Sequence, residues 1–151
     1  MKPQVRQIQD KDFSQFQSIL LEFLQYAENE IPAPEEITKL FSQALDEDSN
    51  YFVFCLELEK QIGGLISVTF GESSYRTAPF AWCDDFFIKK EFRRKGYGRL
   101  LIAAATRVAQ EKSCSNILVG VGNQEIETMK FYEKVGFKDL ECKLYSLPLA
   151  D

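Results

Sequence analysis

Six of the chain's eighteen lysines and arginines fall between positions 89 and 99: Lys89, Lys90, Arg93, Arg94, Lys95 and Arg99. The same stretch carries Gly96 and Gly98 and follows the apolar run Phe86-Phe87-Ile88. A strand that leaves through Arg93-Arg94-Lys95-Gly96-Tyr97-Gly98 into a helix presents backbone N–H groups at the positive end of a helix dipole. Glycine lets that backbone approach an anion with no Cβ in the way, and Arg and Lys add charge-assisted hydrogen bonds. The chemistry is that of a pyrophosphate cradle. A plain turn with a solvated basic face is the competing account of the hexapeptide taken alone. Two familiar cradles are excluded. GxxxxGK[ST] is absent, and Leu101 stands where GxGxxG needs its third glycine.

Histidine is absent, which removes Ser-His-Asp and Cys-His nucleophile pairs and any zinc site built on imidazole. Acid–base work must fall to carboxylates, Tyr, Lys, Cys or water. Cys55, Cys83, Cys114 and Cys142 are far apart and form no CxxC pair, so they read as small packed hydrophobes of a reduced, cytoplasmic protein. No metal site is expected. A net charge of −5 argues against a nucleic-acid partner and suits a cationic one, although solvated acidic surface is the commoner cause. No apolar run approaches the roughly 18 residues of a membrane span, and the first dozen residues lack a signal peptide's apolar centre.

At 151 residues and 45% hydrophobic content the chain reads as one domain, residues 1–151, with a real core. Val5 to Ile8 suits a short strand. Asp10 or Asp12 can cap a helix whose apolar residues, Phe13, Phe16, Ile19, Leu20, Phe23 and Leu24, recur at helical spacing. Pro34 starts a second helix to about Leu45. Residues 51–58 and 62–70 read as strands about a tight Glu59-Lys60 turn, 71–77 as a loop, and 80–88 as a third long strand. A helix runs on from Gly98 with Leu100, Leu101, Ala104, Ala105 and Val108 as its stripe. Asn116 to Val121 reads as a strand, Glu125 to Val135 as a helix stopped by Gly136, and Phe137 to Leu147 as a closing strand. The order β-α-α-β-β-β-α-β-α-β is a mixed α/β (α+β) layer with antiparallel meanders.

With these elements in place, the chain resembles the GNAT superfamily of N-acetyltransferases. Arg93-Arg94-Lys95-Gly96-Tyr97-Gly98 matches that family's [RQ]xxGxG motif at a strand-to-helix junction. Phe131-Tyr132-Glu133-Lys134-Val135-Gly136-Phe137 matches its FYxKxGF motif, in the right register downstream. The resemblance spans the chain. It implies a twisted, mostly antiparallel sheet splayed between its fourth and fifth strands, which map to 80–88 and 116–121, with acetyl-CoA in the gap. Amides from Arg94 to Arg99 would hold the pyrophosphate, Arg93 would open the motif, and backbone near Phe87 and Ile88 would hold the pantetheine arm. Tyr132 would be the general acid, since a phenol with a pKa of about 10 is protonated at neutral pH and can donate to the departing thiolate.

The acceptor amine, with a pKa of about 10.4, must lose a proton before it attacks. The run Trp82-Cys83-Asp84-Asp85-Phe86-Phe87-Ile88 places two acids in an otherwise core-like strand, and alternation sends them to opposite faces. Its DDFFI segment is similar to the EDFFV run of diamine (spermidine/spermine) acetyltransferases, which makes Asp84 the implied base. Asp85 would face away and pair with a basic side chain. A salt bridge or helix cap competes with a catalytic role for both acids. One departure stands out: the family often has Asn seven residues before its Tyr, and here that residue is Glu125, with Asn123 two earlier; either the loop is reshaped so that Asn123 is the cofactor contact, or that contact is lost. The acceptor pocket would draw on the end of the first helix, on residues 28–36, with Glu28, Glu30, Glu35 and Glu36, and on the 71–79 loop. The implied activity is acetyl transfer from acetyl-CoA to a small cationic amine by direct attack in a ternary complex. A protein Lys or N-terminal acetyltransferase and a non-catalytic acyl-CoA-binding module are the alternatives. A homodimer built on the aromatic C-terminal strands is the expected assembly.

Overall fold

The computed structural model describes residues 2–72 and 77–149. They divide into two units, one running through Leu118 and the other from Val119 onward. In the first, β1 (Pro3–Gln7), α1 (Phe13–Tyr26) and α2 (Pro34–Leu45) precede three long strands, β2 (Tyr51–Leu58), β3 (Gln61–Gly71) and β4 (Phe80–Ile88). Helix α3 (Tyr97–Glu111) and the short β5 (Ile117–Val119) follow, and the second unit holds α4 (Ile126–Lys134). The sheet order is β1-β2-β3-β4-β5. Strands β1 to β4 form a continuous antiparallel meander, and β5 lies parallel beside β4 with the sheet open between them.

Burial explains the layers. One face of the sheet carries Val53, Cys55, Leu65 and Phe87, which share a core with Phe16, Ile19 and Leu20 of α1 and Ile37, Phe41 and Ala44 of α2. Those helix positions recur at three and four residues, so each helix offers a single apolar stripe. The register puts Ile66, Val68, Ala81 and Cys83 on the other face, and α3 packs against the sheet through Leu101, Ala105, Val108 and Ala109. Its alanines let a helix lie close to the strands. Each large side chain removed from water contributes roughly 1.5–3 kcal/mol, which is what holds a sheet with helices on both faces together. The hairpin between β2 and β3 turns on Glu59 and Lys60, at φ 50° and 68°, the left-handed pair that matches the twist of the flanking strands.

Asp12 is the N-cap residue of α1, but its side chain does not cap the helix. It is buried and takes a two-pronged bond from Arg6, Nη1 to Oδ2 at 2.7 Å and Nη2 to Oδ1 at 2.9 Å, with the Gln9 N–H donating to Oδ2 at 2.8 Å. Arg6 also donates to Glu57 Oε2 at 2.9 Å, so β1, β2 and the start of α1 meet at one guanidinium. The Arg6 hydrogen bonds hold the Asp12 carboxyl below the usual carboxylate range. A lowered folded pKa stabilises above the unfolded value of about 3.9 and that stability is lost as pH falls below it. Asp12→Asn is expected to cost about 2–3 kcal/mol at neutral pH, because it leaves the buried guanidinium half-paired. Urea denaturation at pH 7 and pH 3 checks this: the gap from wild type should shrink at pH 3.

Three sequence expectations are corrected. No strand forms over 137–147: the described residues 138–149 are exposed and irregular, with Leu144 78% and Tyr145 86% accessible. The alternation of Leu140, Cys142 and Leu144 has strand periodicity, but a strand also needs a neighbour for its backbone, and none pairs with this segment among the described residues. The fifth strand is Ile117–Val119, shorter than 116–121. Of the cysteines, Cys55 and Cys83 are buried as expected, whereas Cys142 is exposed.

Candidate active site

The cradle forms where β4 runs out. A short 3-10 turn, Lys90–Phe92, leads to Arg93 and then to α3, whose N-cap is Gly96 with no side-chain cap. Arg94 at φ 61° and Gly96 at φ 82° are both left-handed, the kind of turn by which backbone amides come to line an anion site. A Cβ built on Gly96 would meet nothing within 4 Å, so the space in front of this backbone is open. Arg94, Lys95 and Arg99 are exposed around it, while Tyr97 and Gly98 are half-buried. The donor set is amides, a helix N-terminus and basic side chains with no carboxylate among them, and it fits a pyrophosphate.

Arg93 takes another part. Its Nε donates to the Ile88 carbonyl at 2.7 Å, and its guanidinium carbon lies 4.9 Å from the Tyr26 ring centre and 5.1 Å from that of Phe87. The side chain is thus committed to tying the end of α1 to the exit of β4, and it shapes the cradle through its backbone. Arg93→Lys keeps the charge but loses the planar fork and stack, and is expected to cost about 1–2 kcal/mol of stability. A chemical denaturation curve of that variant measures it.

Strand β5 is the sheet neighbour of β4, and the residues just before it also tie to the start of β4. The Ala81 N–H donates to the Asn116 carbonyl at 3.0 Å and the Ser115 N–H to the Pro79 carbonyl at 2.8 Å. The sheet is open between β4 and β5, and on the β3 side Phe87 and Ile88 pair with Leu65 and Gly64. Phe87 is buried with its ring against Phe23, at 5.3 Å between centres.

The acids of β4 do not alternate. Asp85 pairs with Ser67, yet Val68 pairs with Cys83, which makes Asp84 the extra residue of a β-bulge. The expectation that the two acids face opposite ways is therefore overturned. Asp84 hydrogen-bonds with Thr69, and Asp85 bonds to Ser67, whose register places both hydroxyls on the α1/α2 face. Asp85 also has no basic partner among the described residues; it accepts from Ser67 Oγ at 2.8 Å. Partial desolvation is the main force that raises Asp84, to about 6; Asp85's charge adds to it and Thr69 opposes it. Burial likewise raises Asp85, with Ser67 pulling it back. Asp84 itself is an exposed residue, so a carboxylate poised near neutrality meets solvent. The Tyr51 phenol is driven upward by burial and by both acids, which keeps it protonated. Cys83 is pushed up to about 12 by burial and the same acids, and Cys55 to about 12 by burial, so neither is a thiolate at neutral pH.

The described part of the expected acceptor region is partly accounted for by local structure. Glu35 and Glu36 lie in the first turn of α2, where they complement its dipole, and Glu36 Oε1 accepts from the Ala33 N–H at 3.4 Å. Glu28 and Glu30 are exposed. Of the 71–79 loop, residues 73–76 lie outside the described residues.

In the second unit, Tyr132 sits on α4, 6% exposed, its ring 5.6 Å from Phe131 and 5.1 Å from Phe137 between centres. The Phe137 N–H returns to the Tyr132 carbonyl at 2.9 Å, and Gly136 at φ 111° makes that reversal. Asn123 is exposed in the preceding loop. Glu125, the N-cap residue of α4, spends its carboxylate on the Gly122 N–H at 2.8 Å, so the acid at the family's asparagine position organises its own loop.

Sequence reasoning missed Ser67, Thr69 and Tyr51 beside the acids. Only the register of β2 and β3 against the bulge brings them there, and a strand pattern does not announce a bulge.

Comparison with known proteins bears on the family and the fold. The model of the acetyltransferase (GNAT) family matches residues 4–137. A curated relative, the uncharacterized N-acetyltransferase YvbK of Bacillus subtilis (strain 168), is 31% identical over 51 residues, which span 34% of this chain and 33% of that protein. Among solved structures, the aminoglycoside acetyltransferase meta-AAC0020, from an uncultured soil metagenomic sample, superposes with a TM-score of 0.80 at 22% identity, over 99% of this chain and 97% of that one. AAC(6')-Iy, in complex with the bisubstrate analog CoA-S-monomethyl-acetylneamine, gives a TM-score of 0.84 at 15% identity, over 99% and 100%. At such identities the structures speak for the fold; the family match covers most of the chain, and the chain belongs to the acetyltransferase (GNAT) family.

Proposed function

We propose that this acetyltransferase moves an acetyl group from acetyl-CoA to a primary amine of a small cationic acceptor, by direct attack in a ternary complex in the cytoplasm. The observation that carries this reading is the pairing, on one strand and its exit, of a raised carboxylate with an open anion cradle. The amides of Arg94 to Arg99 and the basic side chains of Arg94, Lys95 and Arg99 bind the pyrophosphate, and backbone of Phe87 and Ile88 lies along the pantetheine. Asp84 takes the proton of the acceptor ammonium; the freed amine forms the C–N bond to the thioester carbonyl as the C–S bond breaks, its nitrogen gives a second proton to water as the amide forms, and solvent restores the proton that Tyr132 donates. Tyr132, assigned from its motif, gives the CoA sulfur its proton. Asn123 keeps the part of a cofactor contact only by its place in the loop.

Direct attack is supported by the state of the thiols. Cys83 and Cys55 are protonated and buried, poor candidates for an acetyl carrier. The cationic acceptor is supported by two acids on one face of β4 with no basic partner among the described residues, and by the net charge of −5. One structural neighbour is an aminoglycoside acetyltransferase and another is held in complex with the bisubstrate analog CoA-S-monomethyl-acetylneamine; aminoglycosides are themselves amine-rich. Free rather than paired cysteines support the cytoplasm, and among the described residues no helix is long and apolar enough to cross a membrane.

Calorimetry with acetyl-CoA, followed by thiol release over polyamines, aminoglycosides, amino acids and peptides, tests the reading. Expected is binding plus turnover of a small polyamine or aminoglycoside. Absence of acetyl-CoA binding sinks it, binding without turnover favours the regulatory module, and turnover of peptides alone favours the protein acetyltransferase.

A further inference from the structure

A bulge is a choice of which residue leaves the ladder, and something must hold that choice. In β4 the residue left out is Asp84, and its neighbour Asp85 is held twice by one hydroxyl. The Asp85 N–H donates to Ser67 Oγ at 3.1 Å, and the same Oγ donates to Asp85 Oδ2 at 2.8 Å. A serine hydroxyl has one proton and two lone pairs, so this contact uses it as donor and acceptor at once. Ser67 is 0% exposed, so its hydroxyl has no solvent to turn to in place of Asp85. On either side the strand is locked by ordinary pairing, Phe86 with Ile66 and Cys83 with Val68.

We propose that Ser67 and Asp85 are a positioning pair: their reciprocal bond pins the bulge and so fixes the face on which the Asp84 carboxylate stands. The inference rests on Asp84 being the base of the proposed reaction, and it goes beyond that reading by assigning work to two residues that touch no substrate. Without the pair, β4 can return to regular alternation, which turns a side chain to the other face at each step. The surroundings of Asp84 support a tuning role as well. The titratable groups acting near it are Asp85 and Cys83 on its own strand and Tyr51 on β2; β3 offers the neutral Ser67 and Thr69, and no basic group acts on it among the described residues.

The experiment titrates the aspartate carboxyls by carbon-13 NMR in the wild type, Ser67→Ala, Asp85→Asn and Asp84→Asn, and assays thiol release across pH in the same proteins. Asp85→Asn keeps an oxygen for the Ser67 hydroxyl and drops the charge. It is expected to lower the Asp84 titration by about half a unit or more, and to move the acid limb of kcat/KM with it. Ser67→Ala is expected to lower that titration too, and to cut kcat about tenfold with little change in acetyl-CoA affinity. A purely structural serine would lower the melting temperature and leave the Asp84 titration and the acid limb where they were; that result overturns the proposal, as does an unmoved Asp84 in Asp85→Asn. The NMR reading needs no turnover; where Ser67→Ala folds poorly, Asp85→Ala, which removes the carboxylate arm of the reciprocal bond, is titrated in its place, and an unmoved Asp84 there overturns the proposal as well. A fully active Asp84→Asn, by contrast, overturns the underlying reading of the base.

Discussion

Asp84→Asn is expected to lower kcat/KM by about 10²–10³, the usual worth of a positioned general base, with acetyl-CoA affinity little changed. The substitution keeps size and the hydrogen-bond oxygen and removes only the ability to take a proton. In the wild type kcat/KM should rise with pH through about 6, where desolvation and the Asp85 charge place the Asp84 carboxyl. The variant should lose that limb. A second consequence separates catalysis from stability. A folded pKa raised above the unfolded value means the carboxyl favours the native state while protonated, and that contribution is lost as pH rises through about 6. Asp84→Asn should therefore melt higher than wild type above pH 6 while being nearly inactive. A variant that is inactive because it is unfolded would show the reverse. Steady-state kinetics and thermal melts at pH 5 and 8 decide it, and wild-type activity in the variant removes Asp84 from the mechanism.

The second large effect belongs to Tyr132→Phe, expected to reduce kcat by about 10² or more. Here only the hydroxyl goes. The ring contacts with Phe131 and Phe137 and the Phe137-to-Tyr132 backbone bond survive, so the second unit should keep its fold. A loss confined to kcat, with KM for acetyl-CoA within about threefold, marks an interaction made in the transition state. A rate within threefold of wild type would instead leave Tyr132 as a packed aromatic, with water protonating the departing thiolate. The two variants combined bear on the order of events. If both protons move in one transition state, the double variant should lose far less than the product of the single losses.

How the acids are arranged is where sequence and structure part most instructively. The two motifs, the glycines of the cradle and the acid pair were legible as residue types at fixed spacing. So were α2, from Pro34 to Leu45, and β4, from Phe80 to Ile88, because a helix start at proline and a long β-branched and aromatic run are local signals. Arg93 was legible as the first letter of a motif but not as a clamp, since Tyr26 lies 67 positions earlier and only folding brings its ring over the guanidinium. Asp12 read as a helix cap and proved to be one arm of an ion pair, because Arg6 competes for its carboxylate with two charge-assisted bonds. The C-terminal run read as a strand on periodicity, and periodicity does not supply a neighbour.

The sequence by itself thus determined the family, the layer architecture and the identity of the groups that can do chemistry, because these depend on residue type and short-range spacing. The tertiary structure decided orientation and proton affinity. Alternation along β4 predicted that Asp84 and Asp85 point apart, and a single-residue bulge, held from β3 by Ser67, sets them on one face. That contact joins residues eighteen positions apart. No local pattern encodes it, and the desolvation and mutual repulsion that raise Asp84 exist only once the strands are paired.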